Sequence, residues 1–228
     1  MASRKARVLK AVVDRSVAFA GLLVCAPVLV VCAIAVWLDD GAPIFFGQVR
    51  VGKEGRPFRL VKFRSMRQAK SGARITVSGD TRITRVGAFL RRYKLDEAPQ
   101  LWNVLKGDMS LVGPRPEVPS FVNLTSPEWR TVLAVKPGIT DLATLVYRNE
   151  ETELGTVADP ERYYTEVVLP AKLGLSIAFI RAAGFWLESK LIVCTVYYSV
   201  FPAKFDIHRV RQMFQLAEPD RRYSGAAR

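Results

Sequence analysis

The longest apolar stretch of the chain runs from Ser16 to Leu38, and no charged residue interrupts it. A bilayer core takes about 20 consecutive apolar residues as a helix, so the stretch is long enough to enter or cross one. Pro27 sits in its middle, where the missing N–H and the clash of the ring with the preceding turn predict a kink or break. Both flanks are basic. Arg4, Lys5, Arg7, Lys10 and Arg15 precede the stretch, and Arg50, Lys53, Arg56, Arg59, Lys62, Arg64 and Arg67 follow Asp39 and Asp40. Basic flanks favour the cytoplasmic side. Keeping both there predicts a helix that enters the membrane, bends at Pro27 and returns, with the freed backbone groups satisfied inside the protein or near the interface. A kinked spanning helix is the alternative. A cleaved signal peptide fits less well, because the run exceeds the usual apolar core of about 7–15 residues.

Downstream, the pattern shortens. Residues 44–63 predict a β-hairpin with strands Ile44–Val51 and Phe58–Phe63, turning through Gly52-Lys53-Glu54-Gly55. Residues 69–80 read as a loop. Val86, Phe89 and Leu90 predict a helix surrounded by Arg82, Arg85, Arg91 and Arg92. Another helix starts near Asp96, carries Leu101, Trp102 and Leu105, and stops at Gly107. Residues 111–145 alternate Pro and Gly with short apolar runs and read as irregular, with a turn at Pro137-Gly138. The polar run Tyr147-Arg148-Asn149-Glu150-Glu151 reads as a mobile loop over a site. Pro160 to Lys172 is helix-like. Phe185 to Phe201 is rich in Trp, Tyr and Leu and reads either as a helix lying in the membrane interface or as a buried core helix. After Phe201 the chain becomes charged, and Pro219 to Arg228 reads as disordered.

Composition adds a partner class. A net charge of +13 implies something anionic: nucleic acid, an anionic membrane surface or a phosphorylated substrate. Cys25, Cys32 and Cys194 sit in apolar surroundings without CxxC spacing and read as buried thiols. His208, the single histidine, lies in a charged stretch and points to neither catalysis nor zinc. GxGxxG, P-loop, HExxH and GxSxG motifs are absent.

Candidate chemistry concentrates between Lys94 and Pro116. Two adjacent carboxylates, Asp96 and Glu97, follow Arg91 and Arg92, and the stretch ends in Pro114-Arg115-Pro116. An acidic pair between cationic groups is what phosphoryl chemistry on an anionic, metal-bound substrate requires. The structural alternative is that Asp96 caps the helix and Glu97 complements its dipole.

Several blocks together resemble the bacterial sugar transferases that start glycan assembly on a lipid carrier, the monotopic polyprenol-phosphate phosphoglycosyl transferases. They are the apolar segment with its central proline, Pro43 to Gly52, Lys62-Phe63-Arg64-Ser65-Met66, Asp80 to Gly87, and Leu95 to Pro116; Pro137-Gly138-Ile139-Thr140, Arg148-Asn149 and the Tyr164 to Thr195 region are weaker echoes. The resemblance implies a membrane-associated α/β fold, mostly helical, with an N-terminal re-entrant membrane helix, a small β-hairpin and interfacial amphipathic helices. It divides the chain into a membrane anchor at 1–40, a cytoplasmic catalytic domain at 41–201 and a charged tail at 202–228. It places the protein on the cytoplasmic face of the bacterial inner membrane, embedded through residues 16–38. The implied donor is a UDP-sugar and the acceptor undecaprenyl (polyprenyl) phosphate, with UMP released, as the first membrane step of exopolysaccharide, O-antigen or glycoprotein assembly. Magnesium is the implied cofactor. Membrane lipids are implied partners, homodimerisation is allowed, and nucleic acid is not expected.

On that basis Asp96 is the expected nucleophile, attacking the β-phosphorus and forming a covalent aspartyl-phosphosugar. Glu97 is the expected magnesium ligand, with Asp96 beside it. Arg91, Arg92 and Arg115 are expected to hold phosphates. Lys62 and Arg64 are expected to neutralise the lipid phosphate, and Arg148 to close over the nucleotide. The chain departs from the family pattern at Ala26, where Ser commonly precedes the proline, at Ala98, across Asp141–Tyr147, and at Glu188, where Asp is frequent. The competing reading is a non-catalytic, basic, membrane-tethered binding protein for anionic lipid or nucleic acid, and charge alone supports it.

Overall fold

The fold is a computed structural model that describes residues 4–67 and 75–215. The expected tail at 219–228 and residues 69–74 of the expected loop lie outside the described residues. The first element, α1 (Arg4–Asp40), continues through Pro27 without interruption. The expected break does not occur there. One proline deletes a single N–H bond, and the helical ladder on either side persists. By length and composition, α1 and the helical run Pro160–Ala182 could each cross a membrane.

One side of α1 packs on the rest of the chain along most of its length. Ala18 is buried with Val104 and Met109, and Cys32 and Val36 with Phe63 and Leu90. Each fully buried aliphatic or aromatic side chain contributes about 1.5–3 kcal/mol. Polar bonds tie down both ends. The buried Asp14 Oδ2 accepts from Ser110 Oγ at 2.6 Å, and Lys10 pairs with Glu188. Asp39 Oδ2 accepts from the Val86 amide at 3.0 Å. The opposite side of α1 exposes Leu23, Val24, Val31, Ile34 and Leu38, a large apolar face.

The hairpin forms as expected. β1 (Phe45–Val51) and β2 (Pro57–Phe63) pair antiparallel, with Phe45 opposite Phe63 and Val51 opposite Pro57. Glu54 and Gly55 take left-handed conformations in the turn. α2 (Arg85–Arg92) is capped by the Thr84 hydroxyl, which accepts from Gly87 N at 2.9 Å. Gly87 is required there: a Cβ would lie 2.0 Å from Ser65 O. α3 (Gln100–Lys106) ends on Gly107 in the left-handed region, as expected.

Residues 111–145 are more ordered than their composition suggests. β3 (Ser110–Val112) and β4 (Gly138–Thr140) pair in parallel, and α4 (Pro127–Leu133) and α5 (Leu142–Val146) lie in the same region. Strands of three residues carry no readable period. α4 was missed although it carried a signal, since Ser126-Pro127 is an N-cap followed by a first-turn proline. The expected mobile loop contains α6 (Glu150–Leu154). α7 (Pro160–Tyr163) runs through a wide turn at Tyr164–Val168 into α8 (Leu169–Ala182). α9 (Phe185–Val200) buries Leu191, Cys194 and Tyr198 and exposes Trp186, Val193, Val196 and Val200, so the buried-core reading describes only one of its faces. α10 (Ile207–Met213) completes the described chain.

Asn103 joins hairpin to helix. It is fully buried; its Oδ1 accepts from Val61 N at 3.0 Å, and its Nδ2 donates to Arg59 O at 2.8 Å. Leaving those two backbone groups unpaired costs about 1–3 kcal/mol each. Asn103→Ala is therefore expected to lower the unfolding free energy by about 2–5 kcal/mol, measured as the loss of denaturant midpoint in detergent.

Candidate active site

The backbone that presents Arg115 is built from close contacts. A Cβ on Gly138 would stand 2.1 Å from Gly113 N, so only glycine lets the strand after Pro137 approach the turn after β3. Pro114 and Pro116 restrict φ on both sides of Arg115. Asp141, 1% exposed, accepts from Arg115 N at 3.3 Å, from Thr144 N at 2.6 Å and from Ser176 Oγ at 2.8 Å. The Arg115 guanidinium then reaches Glu97 with two bonds, Nη1 to Oε2 at 3.0 Å and Nη2 to Oε1 at 2.5 Å.

Asp96 and Glu97 lie in a short 3-10 turn, Leu95–Glu97, entered through Lys94 in the left-handed region. The α-helix begins three residues later, after Pro99. Asp96 is therefore not the N-cap of α3. Its side chain is 4% exposed, and its Oδ1 has no hydrogen-bond partner among the described residues. Burial, followed by the charge of Glu97, raises its pKa, while Lys62, Lys94 and Arg91 pull the other way. Burial alone would also raise Glu97, but Arg115, Lys94 and Lys62 together hold it well below the usual carboxylate range. The two neighbours thus differ in kind: Glu97 is a committed anion, and Asp96 is an underpartnered one.

Both carboxylates line a cavity of about 470 Å³. Arg91, Arg92, Arg115, Lys62 and Arg148 line it as well, so the structure brings together all the expected site residues but one. Arg91 is paired with Glu151. Lys62, Lys94, Arg92 and Arg148 line the cavity without an ion pair among the described residues. Burial lowers the Lys62 pKa, opposed by Asp96 and Glu97. The wall carries more cations than carboxylates and is suited to a polyanion.

The model of the family described as bacterial sugar transferase matches residues 5–202. The chain belongs to that family. It is 38% identical to the undecaprenyl-phosphate glucose phosphotransferase of Komagataeibacter xylinus over 79% of its own length and 34% of the relative's. It is 37% identical to the UDP-N-acetylgalactosamine-undecaprenyl-phosphate N-acetylgalactosaminephosphotransferase of Aeromonas hydrophila, over 75% of this chain and 38% of that one. The chain thus spans little more than a third of those two proteins. It is also 36% identical to the uncharacterized sugar transferase EpsL of Bacillus subtilis (strain 168), covering 77% of this chain and 79% of the relative.

Arg64 is the expected site residue that the structure places elsewhere. Its guanidinium is 8% exposed and donates to the carbonyls of Asp40, Gly41 and Ala42 at 2.5, 2.7 and 3.0 Å. It secures the exit of α1 and is not among the cavity-lining residues. Strand alternation accounts for this, because Lys62 and Arg64 share a face only while the strand lasts, and β2 ends at Phe63. Sequence reading missed Gln48, Arg50, Lys94, Glu117, Glu150, Tyr164 and Lys172, which also line the cavity. Gln48 and Arg50 carried a signal, since they sit two residues apart on one strand face. Glu117 adjoins the Pro-Arg-Pro block. Tyr164 and Lys172 fall within the weak Tyr164–Thr195 echo of the family, but no residue-level signal tied them to the cavity.

Among the described residues no three His, Cys, Asp or Glu side chains converge as a metal cluster. The donor set is an Asp96 oxygen without a partner beside the Glu97 carboxylate. That fits an ion that takes one or two protein carboxylates and fills its remaining positions with phosphate oxygens and water.

A raised folded-state pKa in a carboxylate means that ionisation opposes folding above that pKa, and the penalty vanishes only below the unfolded value. Asp96→Asn removes the penalty. The variant is expected to melt higher than wild type near neutral pH and to lose this advantage as the pH falls below the carboxylate range, read by thermal scans without nucleotide or metal.

Proposed function

We propose that the protein moves a sugar 1-phosphate from a UDP-sugar to undecaprenyl (polyprenyl) phosphate and releases UMP. The observation that carries this reading is Asp96, a buried carboxylate that does not cap α3 and has no partner at Oδ1 among the described residues, set in a cavity whose lining includes Lys62, Lys94, Arg92 and Arg148, cations without ion pairs among the described residues. The names of the relatives support the donor and acceptor classes.

In the proposed mechanism an Asp96 oxygen attacks the β-phosphorus of the donor. The bond from that phosphorus to the bridging oxygen breaks, and UMP departs with the electron pair. The sugar phosphate remains on Asp96 as an acyl phosphate. An oxygen of the lipid phosphate then attacks the same phosphorus, the bond to Asp96 breaks, and the carboxylate is restored. Every transferred group is already ionised, so no proton is consumed. Arg115 keeps Glu97 charged and oriented. Lys62, Lys94 and Arg148 offset the charge of the phosphates. Magnesium, held by Glu97 and Asp96 and by the donor's own phosphates, would neutralise charge that develops on the leaving group.

The proposed site lies on the cytoplasmic face, with both ends of α1 on that side of the membrane. Support comes from the two ends of α1, Asp14 on Ser110 and Asp39 on Val86, which are bonded to the same body. A helix held near both ends by one body does not carry its far end across a bilayer from that body. The exposed apolar faces of α1 and α9 support lipid contact beside the site.

Three outcomes are expected. Asp96→Asn loses UMP release by about 10³-fold or more, and wild-type turnover in that variant would remove Asp96 as nucleophile. Wild type given a UDP-sugar without acceptor gains the mass of one sugar phosphate, and hydroxylamine removes the adduct. Single cysteines at Lys5 and Arg56, probed from outside intact cells, are both protected; labelling of one alone would mean a true crossing.

A further inference from the structure

The charged side chains that line the cavity fall into two chemically different sets. One comprises Asp96 and Glu97 with Lys62, Lys94 and Arg148, cations without ion pairs among the described residues. In the other, every charge is matched. Lys172 Nζ donates to Glu150 Oε2 at 2.6 Å. The Tyr164 hydroxyl donates to Glu117 Oε1 at 2.6 Å, and Arg50 Nη1 lies 3.6 Å from Glu117 Oε2. Lys172 and Tyr164 are each 6% exposed and Glu117 is 9% exposed, so these groups are held rigidly. The Lys172 ammonium sits 5.2 Å from the centre of the Tyr164 ring.

We propose that Glu150, Lys172, Glu117 and Tyr164 form the subsite for the sugar ring of the donor, with the Lys172–Glu150 pair reading neighbouring ring hydroxyls. This rests on the reading of the donor as a UDP-sugar. A phosphate gains little from a set without net charge. A neutral polyhydroxylated ring gains from fixed donors beside fixed acceptors, because each hydroxyl both donates and accepts. A cation–carboxylate pair offers one of each at a set spacing, and an epimer with one hydroxyl inverted leaves a buried group unpaired.

Position agrees with chemistry. Arg115 links the two sets: it grips Glu97, and Glu150 and Glu117 are the next carboxylates to act on its charge. In-line attack by Asp96 sends UMP to the far side of the phosphorus and leaves the sugar oxygen to one side. The matched set lines the same cavity as the reacting carboxylates, so a ring bonded to the phosphorus at Asp96 lies within the space they share.

The test compares wild type with Glu150→Gln and Lys172→Met. Values of kcat/KM are measured by UMP release for UDP-glucose against UDP-galactose and for their 2-acetamido counterparts, with inhibition by UMP recorded alongside. The ratio between the preferred donor and its epimer is expected to fall about tenfold in each variant, while UMP inhibition stays within about twofold. An unchanged ratio overturns the proposal. So does UMP inhibition that weakens in step with the donor KM, which would make this set the seat of the nucleotide. If Lys172→Met fails to fold, Glu150→Gln, which conserves size, decides alone. If wild type releases no UMP from any of these donors, the transfer reading fails. The subsite is then judged by titrating UMP and UDP-glucose directly: tighter binding of UDP-glucose that Glu150→Gln abolishes supports it, and equal binding of the two overturns it.

Discussion

The arrangement of the site hangs on the buried pair between Arg115 and Glu97. It joins the turn after α2 to the turn after β3, two segments from different parts of the chain. A buried ion pair is weak as a stabiliser, because desolvation offsets most of the attraction, but losing one partner strands the other charge. The pair therefore acts mainly as a positional constraint. It is over-determined from behind by the Gly113–Gly138 approach, the prolines on both sides of Arg115, and the three hydrogen bonds to Asp141.

That constraint makes the difference between the two carboxylates possible. Glu97 is held at both oxygens by Arg115, and Asp96, one residue away, is buried but underpartnered. Fixing a charged group without satisfying it is thermodynamically unfavourable, and the surrounding framework has to hold it there. The framework includes the apolar helix α1. Asp39 at its end caps α2, the helix that brings Arg91 and Arg92 to the cavity, and the following carbonyls hold Arg64 just beyond Lys62. The apolar helix and the site are thus mechanically one object.

Much of the local structure was legible. The hairpin, α2, α3 with its Gly107 stop, and the long apolar helix follow from apolar period and from turn and cap residues. The strands β3 and β4 were not, since three residues show no alternation and a parallel pair draws its order from a distant partner. Arg64 misled for a related reason. Its neighbours in sequence suggested phosphate binding, but a helix exit with free carbonyls lay within its reach, and those acceptors could not be seen in one dimension.

By itself the sequence determined which residue types were available and what each segment could locally become. It supplied an uncharged run fit for a membrane, two adjacent carboxylates near arginines, and a Pro-Arg-Pro of fixed backbone. Whether Asp96 would cap a helix or stand free was decided only in three dimensions. The helix began after Pro99, and Arg115 took Glu97 and left Asp96 its cavity. The matched set of Glu117, Glu150, Tyr164 and Lys172 was likewise a product of tertiary structure alone. Local propensity acts over a few residues, whereas the electrostatic character of a site is set by charges far apart in the chain that packing forces together.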